Sequence, residues 1–174
     1  MQLKILYHGN CFDGCASAAI VSRFLSDREG ARGAQVRYEP LHHALGNAFP
    51  ADAFDGDVNA CVDFRYSRDP RLHWWFDHHA SGFPTPEDRA AYEAERSPTK
   101  FWDPKAPSCA GFIARTVAAR FGWQAPELDE LVRWADVIDD SLRRPKGPRG
   151  LVARLAFTAD PFQKKIGERT VFCP

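Results

Sequence analysis

The chain has 174 residues, of which 44% are hydrophobic and 26% charged. This length suits one well-packed domain and excludes two of ordinary size, so we expect a single domain over residues 1–174. The formal net charge is zero, and no run approaches the roughly 18 consecutive apolar residues of a membrane-spanning helix.

Strand-like and helical patterns alternate along the first half of the chain. Short apolar segments predict strands at residues 3–7, 35–39, 58–64 and 73–76, with a helix over residues 14–25 between the first two. Such alternation is typical of a parallel sheet with helices on both faces. We therefore predict an α/β fold.

The second half begins with a proline-rich stretch. Residues 81–107 contain five prolines, which favours an excursion over the surface with one short helix near residues 87–95. A helix with Ser108 as its N-cap is then predicted to reach about residue 121, and another is predicted over residues 126–142. A last helical segment is expected after residue 148.

Three of the predicted strands are followed by residues that can bind metal or transfer protons. His8 follows the first strand, Asp63 follows the apolar run NACV, and the last strand leads into Asp77, His78 and His79. A single such residue is usually only part of a turn. Because the carboxyl ends of parallel strands form the crevice where ligands bind, we expect these five side chains to converge there.

A carboxylate inside an apolar helical stripe is a further candidate. At 100° per residue, Asp139 falls within the apolar stripe of the helix predicted over residues 126–142, whereas Asp136 lies at its edge. Burial of an unpaired carboxylate costs several kcal/mol, so Asp139 needs a cation, a hydrogen-bond donor or an altered pKa. A hydrogen bond from a neighbouring loop is the alternative.

The turn HGNCFDG between the first strand and the first helix contributes Asp13, which could ligate a metal or simply cap the helix. The candidate metal ligands are then His8, Asp13, Asp63, His78 and Asp139. Two imidazoles and three carboxylates suit Mn²⁺, and the set is too rich in oxygen for a structural zinc site. A carboxylate that two ions share is typical of two-metal phosphoryl transfer, and Asp63 is the best candidate for this bridge.

Four segments extend this interpretation: YHGNCFDGCASAA (residues 7–19), VDF (62–64), FDHHAS (76–81) and WADVIDDS (134–141). Together they resemble the motifs of the DHH phosphoesterase superfamily, in the family's order. The first is most similar to the branch of oligoribonucleases and cyclic-nucleotide phosphodiesterases. The resemblance implies a Rossmann-like domain with two Mn²⁺ ions, or Mg²⁺ or Co²⁺. It also implies metal binding by the five candidate ligands and catalytic roles for Asp63, Asp77, His78 and His79, in which Asp77 orients its neighbours and His79 contacts phosphate.

Two departures from the family pattern affect these expectations. Many relatives have aspartates four and six residues after the first histidine, whereas Asp13 lies five residues after His8 and follows Cys11. One metal position is therefore expected to bind more weakly or to use Cys11. In the fourth motif, Asp136 remains an alternative to Asp139. Relatives also continue into a glycine-rich substrate-binding domain, which we expect to be absent here.

The predicted activity is hydrolysis of phosphodiester bonds in short oligonucleotides or cyclic nucleotides. The partner would be a small phosphorylated substrate or short oligonucleotide, and a homodimer is possible. Two alternatives stay open: a phosphate- or nucleotide-binding module without turnover, and a hydrolase of pyrophosphate or another phosphate ester. Residues 141–174 carry eight basic and two acidic residues, which favours an anionic partner only weakly over a solvated surface.

The compartment is predicted from the N-terminus and the cysteines. The start MQLKILYHGN lacks a basic region followed by a long apolar segment, as a signal peptide would have. The five cysteines are odd in number and include no C-x-x-C pair, which favours reduced thiols. We expect a soluble, cytoplasmic protein without a membrane partner.

Overall fold

The computed structural model describes residues 1–28, 32–42 and 49–143. Within them, five strands form one parallel sheet: β1 (Gln2–His8), β2 (Gln35–Leu41), β3 (Val58–Val62), β4 (Trp74–Asp77) and β5 (Lys100–Trp102). Their order across the sheet is β2-β1-β3-β4-β5. The chain reverses its direction of travel across the sheet between β1 and β3, and parallel sheets bind ligands at such a switch point.

Four α-helices accompany these strands in the described residues: α1 (Phe12–Asp27), α2 (Pro86–Glu95), α3 (Cys109–Phe121) and α4 (Asp129–Arg143), the last preceded by a 3₁₀ turn at Pro126–Leu128. The predicted N-cap of α3 is confirmed, because the Ser108 hydroxyl accepts a hydrogen bond from the Gly111 N–H at 2.9 Å. The predicted α/β fold is confirmed as well.

The two faces of the sheet are covered differently. Alternating residues of β4 point to opposite faces, so that Trp74 and Phe76 enter one core and Trp75 enters the other. The core around Trp74 and Phe76 is formed with α1, α3 and α4. The core around Trp75 is covered largely by loops, with Tyr92 of α2 packed against it. Helices therefore lie on both faces, as predicted, but three of the four lie on one.

Two local predictions are wrong. The stretch over residues 81–107 is not only a surface excursion, because it contributes the edge strand β5, whose Phe101 stacks on Phe76 with ring centroids 5.2 Å apart. Strand β3 ends at Val62 and not at residue 64, since Asp63 has a left-handed backbone conformation with φ of 54°. The helix expected after residue 148 lies outside the described residues.

The predictions about membranes and thiols have separate outcomes. No helix in the described part of the chain is both long and apolar enough to cross a bilayer. Cys11, Cys61 and Cys109 are free thiols, whereas Cys15 is disulfide-bonded. The expectation of reduced thiols is therefore wrong for Cys15.

Candidate metal centre

The predicted ligands meet at the carboxyl ends of β1, β3 and β4. Three groups of side chains each bring one ligand atom per residue within 4.8 Å of one another: His8, Cys11 and Asp63; Asp63, His78 and His79; and Asp13, His78 and Asp139. Asp63 and His78 each belong to two groups, so the three groups form one continuous cluster. It lies at the switch point between β1 and β3, where the topology places a ligand crevice.

Asp63 lies at the centre of this cluster. Its side chain is 1% exposed, and neither carboxylate oxygen accepts a hydrogen bond from the described residues. The nearest imidazole nitrogens stand at 3.3 Å (His78), 3.6 Å (His8) and 3.7 Å (His79). Burial raises the pKa of Asp63, but the imidazoles outweigh it and lower the pKa to about 2. The carboxylate is therefore buried among three imidazoles and depends on them to stay ionised.

The backbone at Asp63 adds a second sign of function. A left-handed conformation is costly for a residue with a side chain, and such conformations cluster at active sites and ligand clamps. The conformation occurs directly after the last residue of β3, where the Asp63 N–H donates a hydrogen bond to the Phe76 carbonyl at 2.9 Å. The neighbouring strand thus holds Asp63 in place.

His78 is fully buried, and its two ring nitrogens face different acceptors. Its Nδ1 lies 3.1 Å from the Ala106 carbonyl oxygen, and ligating histidines commonly bond a carbonyl through the nitrogen that does not bind metal. Its Nε2 faces Asp13 and Asp63 at 3.3 Å and Asp139 at 3.7 Å. Burial lowers the pKa of His78, but the two nearer carboxylates raise it overall. The pocket therefore attracts positive charge strongly.

Asp13 is held by the first turn of α3. Its two oxygens accept hydrogen bonds from the backbone N–H groups of Cys109 at 2.7 Å and Ala110 at 2.9 Å. Burial and the charge of a neighbouring carboxylate raise the pKa of Asp13 to about 7, although the two N–H groups lower it. Gly14 allows α1 to begin directly against β1, because a Cβ atom there would collide with the His8 carbonyl oxygen.

Asp77 fixes the two histidines that follow it. One of its oxygens accepts hydrogen bonds from the backbone N–H groups of His78 at 2.9 Å and His79 at 3.3 Å, and lies 2.7 Å from Nδ1 of His79. Gly82 makes room for the other oxygen, which a Cβ atom would meet. His79 is one-third exposed. Because Nδ1 faces Asp77, Nε2 is the ring nitrogen of His79 that remains for other contacts.

The two candidate aspartates of α4 have different surroundings. Asp136 accepts a hydrogen bond from the Ser108 hydroxyl at 2.5 Å and pairs with Arg115 at 3.1 Å. Asp139 faces His78 Nε2 and belongs to one of the three ligand groups. The geometry favours Asp139 as a ligand and Asp136 as a tie between α3 and α4.

The sequence did not single out two features of the cluster. The anchoring of Asp13 by α3 spans 96 residues, so no local pattern could reveal it. The sequence predicts Cys11 only as a substitute ligand, yet a cysteine at the N-cap of α1 is itself a signal, because Ser, Thr, Asp and Asn are the usual N-caps. Burial and the charge of Asp63 raise the pKa of the Cys11 thiol to about 12. Metal binding would therefore have to displace its proton.

Comparisons with known proteins add no relative. The chain matches no protein-family model, and no curated protein matches it. The interpretation of the site therefore depends on its own geometry and on the motifs in the sequence.

Proposed function

We propose that this protein is a divalent-metal-dependent phosphoesterase that hydrolyses phosphodiester bonds in short oligonucleotides or cyclic nucleotides. One observation carries the proposal: the buried carboxylate of Asp63 lies among three imidazoles, none closer than 3.3 Å. Burial of a charge with so few close partners is unfavourable unless a cation joins it. A shared carboxylate of this kind is what two adjacent ions require.

The donor atoms fit a pair of divalent ions. His8, Asp13, Asp63, His78 and Asp139 would hold them, with Asp63 between the two positions. Imidazole nitrogens and carboxylate oxygens suit Mn²⁺, and Mg²⁺ and Co²⁺ are alternatives. When bound, such ions would supply Lewis acidity to a water molecule and to the leaving oxygen.

The remaining catalytic contributions come from Asp77 and His79. The Asp77 carboxylate holds the His79 ring by Nδ1 at 2.7 Å, so the ring is oriented before a substrate arrives. With one-third of its side chain exposed, His79 can contact the phosphate or give a proton to the leaving oxygen. Because Nδ1 faces Asp77, Nε2 of His79 would be the atom that makes either contact.

The choice of diester substrates is supported by the resemblance of residues 7–19 to the oligoribonuclease and cyclic-nucleotide phosphodiesterase branch of the DHH superfamily. The cluster itself supports phosphoryl chemistry more broadly. A substrate panel therefore has to separate a diesterase from a hydrolase of monoesters or pyrophosphate.

The test is Mn²⁺-dependent hydrolysis of a dinucleotide, a five-nucleotide oligomer, a cyclic nucleotide, a phosphate monoester and pyrophosphate. We expect one of the diesters to turn over, and Asp63→Ala and His78→Ala each to abolish its hydrolysis while circular dichroism shows an intact fold. Preference for the monoester or pyrophosphate would contradict the substrate class. Manganese binding through these residues without any turnover would make the protein a binding module.

A further inference from the structure

Cys11 has no role in the proposed reaction, although it belongs to the same cluster. Its sulfur lies within 4.8 Å of ligand atoms of both His8 and Asp63. As the N-cap of α1 it makes no capping hydrogen bond with its side chain.

The other free thiols of the described residues have a different setting. Cys61 and Cys109 are fully buried in the apolar cores. Their sulfurs contact the carbonyl oxygens of Arg65 at 3.9 Å and Phe76 at 3.4 Å. These two cysteines therefore behave as small core side chains, whereas Cys11 is half-buried beside a histidine and a carboxylate.

An independent observation points to a cation next to Cys11. Asp63 is 1% exposed, and neither of its oxygens accepts a hydrogen bond from the described residues. One of these oxygens lies 3.6 Å from Nδ1 of His8. The nitrogen of His8, the sulfur of Cys11 and the oxygen of Asp63 therefore define one candidate metal position. The second candidate metal position, formed by Asp13, His78 and Asp139, has only nitrogen and oxygen donors.

We propose that Cys11 is a thiolate ligand and that the two metal positions of the centre select different ions. This inference rests on the metal centre of the proposed function. The position formed by His8, Cys11 and Asp63 takes a softer ion such as Zn²⁺, Co²⁺ or Cd²⁺, because thiolate prefers soft metals. The position formed by Asp13, His78 and Asp139 takes Mn²⁺ or Mg²⁺. When the metal–sulfur bond forms, the thiol proton passes to solvent.

The experiment uses the metals alone with the full chain. Cd²⁺ and Co²⁺ are added to the protein while the ultraviolet absorption of thiolate-to-metal charge transfer is recorded. Calorimetry measures the affinities for Cd²⁺ and Mn²⁺. The variants are Cys11→Ala, which removes the sulfur, and Cys11→Asp, which replaces it by a hard oxygen donor. Cys61→Ala is the matched control, because it removes a free thiol outside the cluster.

We expect a charge-transfer band in the parent and in Cys61→Ala, and none in either Cys11 variant. Cadmium affinity should fall by about 100-fold or more, since even partners that only support a ligand change metal affinity by about 10- to 100-fold. Cys11→Asp should shift the preference of the centre from Cd²⁺ toward Mn²⁺, a gain that misfolding could not produce.

A full band in Cys11→Ala, or no band in a parent that binds Mn²⁺, would overturn the role of Cys11. Either result would leave the proposed function standing, provided that hydrolysis still depends on Asp63. If instead the protein hydrolyses no phosphate ester but shows the charge-transfer band, the proposed function fails and the role of Cys11 stands. The two proposals can therefore fail separately.

Discussion

Buried polar side chains lie at both ends of the sheet, but their hydrogen bonding differs. At the amino end, Lys4 and Asn59 are adjacent in the register of β1 and β3. The Lys4 ammonium donates to the Asp52 carbonyl and the Asp55 carboxylate, both at 2.8 Å. The Asn59 amide accepts from the Gly56 N–H at 2.9 Å and donates to two carbonyls at 3.0 and 3.1 Å.

At the carboxyl end, the same two strands lead to Asp63 and His8, whose nearest atoms stay 3.6 Å apart. Both ends bury charge, but Asp63 at the carboxyl end accepts no hydrogen bond from the described residues, whereas Lys4 and Asn59 have partners at 2.8–3.1 Å. A buried polar group with complete hydrogen bonds stabilises the fold. The proposed metal ions would supply the close partner that Asp63 lacks.

The two aspartates of α4 provide the strongest test of this comparison, because Asp136 has hydrogen-bond partners within the chain and Asp139 is a candidate metal ligand. We expect Asp139→Ala to lower Mn²⁺-dependent turnover by about 10³-fold, or about 4 kcal/mol of activation free energy. Asp136→Ala should leave turnover nearly unchanged and reduce the free energy of unfolding by about 1–2 kcal/mol, because Ser108 and Arg115 lose their partner. Steady-state kinetics and urea unfolding distinguish the two, and equal losses of turnover would contradict the assignment.

Metal binding should stabilise the protein only through the carboxyl end. With Mn²⁺ at 100 times its dissociation constant, the free energy of unfolding should rise by about 2.7 kcal/mol. Thermal unfolding with and without the ion measures this effect. The rise should be absent in Asp63→Ala, and a similar rise in that variant would place the bound ion elsewhere.

The amino end should show the reverse behaviour. Asn59→Ala leaves the Gly56 N–H and two carbonyls without a buried partner, so the free energy of unfolding should fall by about 2 kcal/mol. Manganese affinity and turnover should stay at the parent values when measured well below the unfolding midpoint. A large change in metal affinity would show that the two ends of the sheet are coupled.

The sequence predicted the elements whose patterns are local. The apolar segments of β1, β3 and β4 and the capped start of α3 all have signals within a few residues. Strand β5 was missed because three residues in a proline-rich stretch carry little periodicity, and its pairing with β4 depends on tertiary contacts.

The candidate site followed from two geometrical rules. Strand ends predicted that His8, Asp63 and the histidines after Asp77 would converge, and helical periodicity selected Asp139. These rules predict where a residue lies in the fold, but they do not predict its hydrogen-bond partners. They could not show that Asp136 accepts a hydrogen bond from Ser108 at the start of α3, because that contact joins segments that are distant in sequence.

The hydrogen bonds between Asp13 and the start of α3 make the site sensitive to small movements of the helices. One carboxylate joins the first turns of two helices that lie 96 residues apart in the chain, and both helices pack in the same core. Its position is therefore set by helix packing and not by the course of a loop. Any core substitution that shifts α3 against α1 would be transmitted to this oxygen pair, so the accuracy of the centre depends on residues far from it.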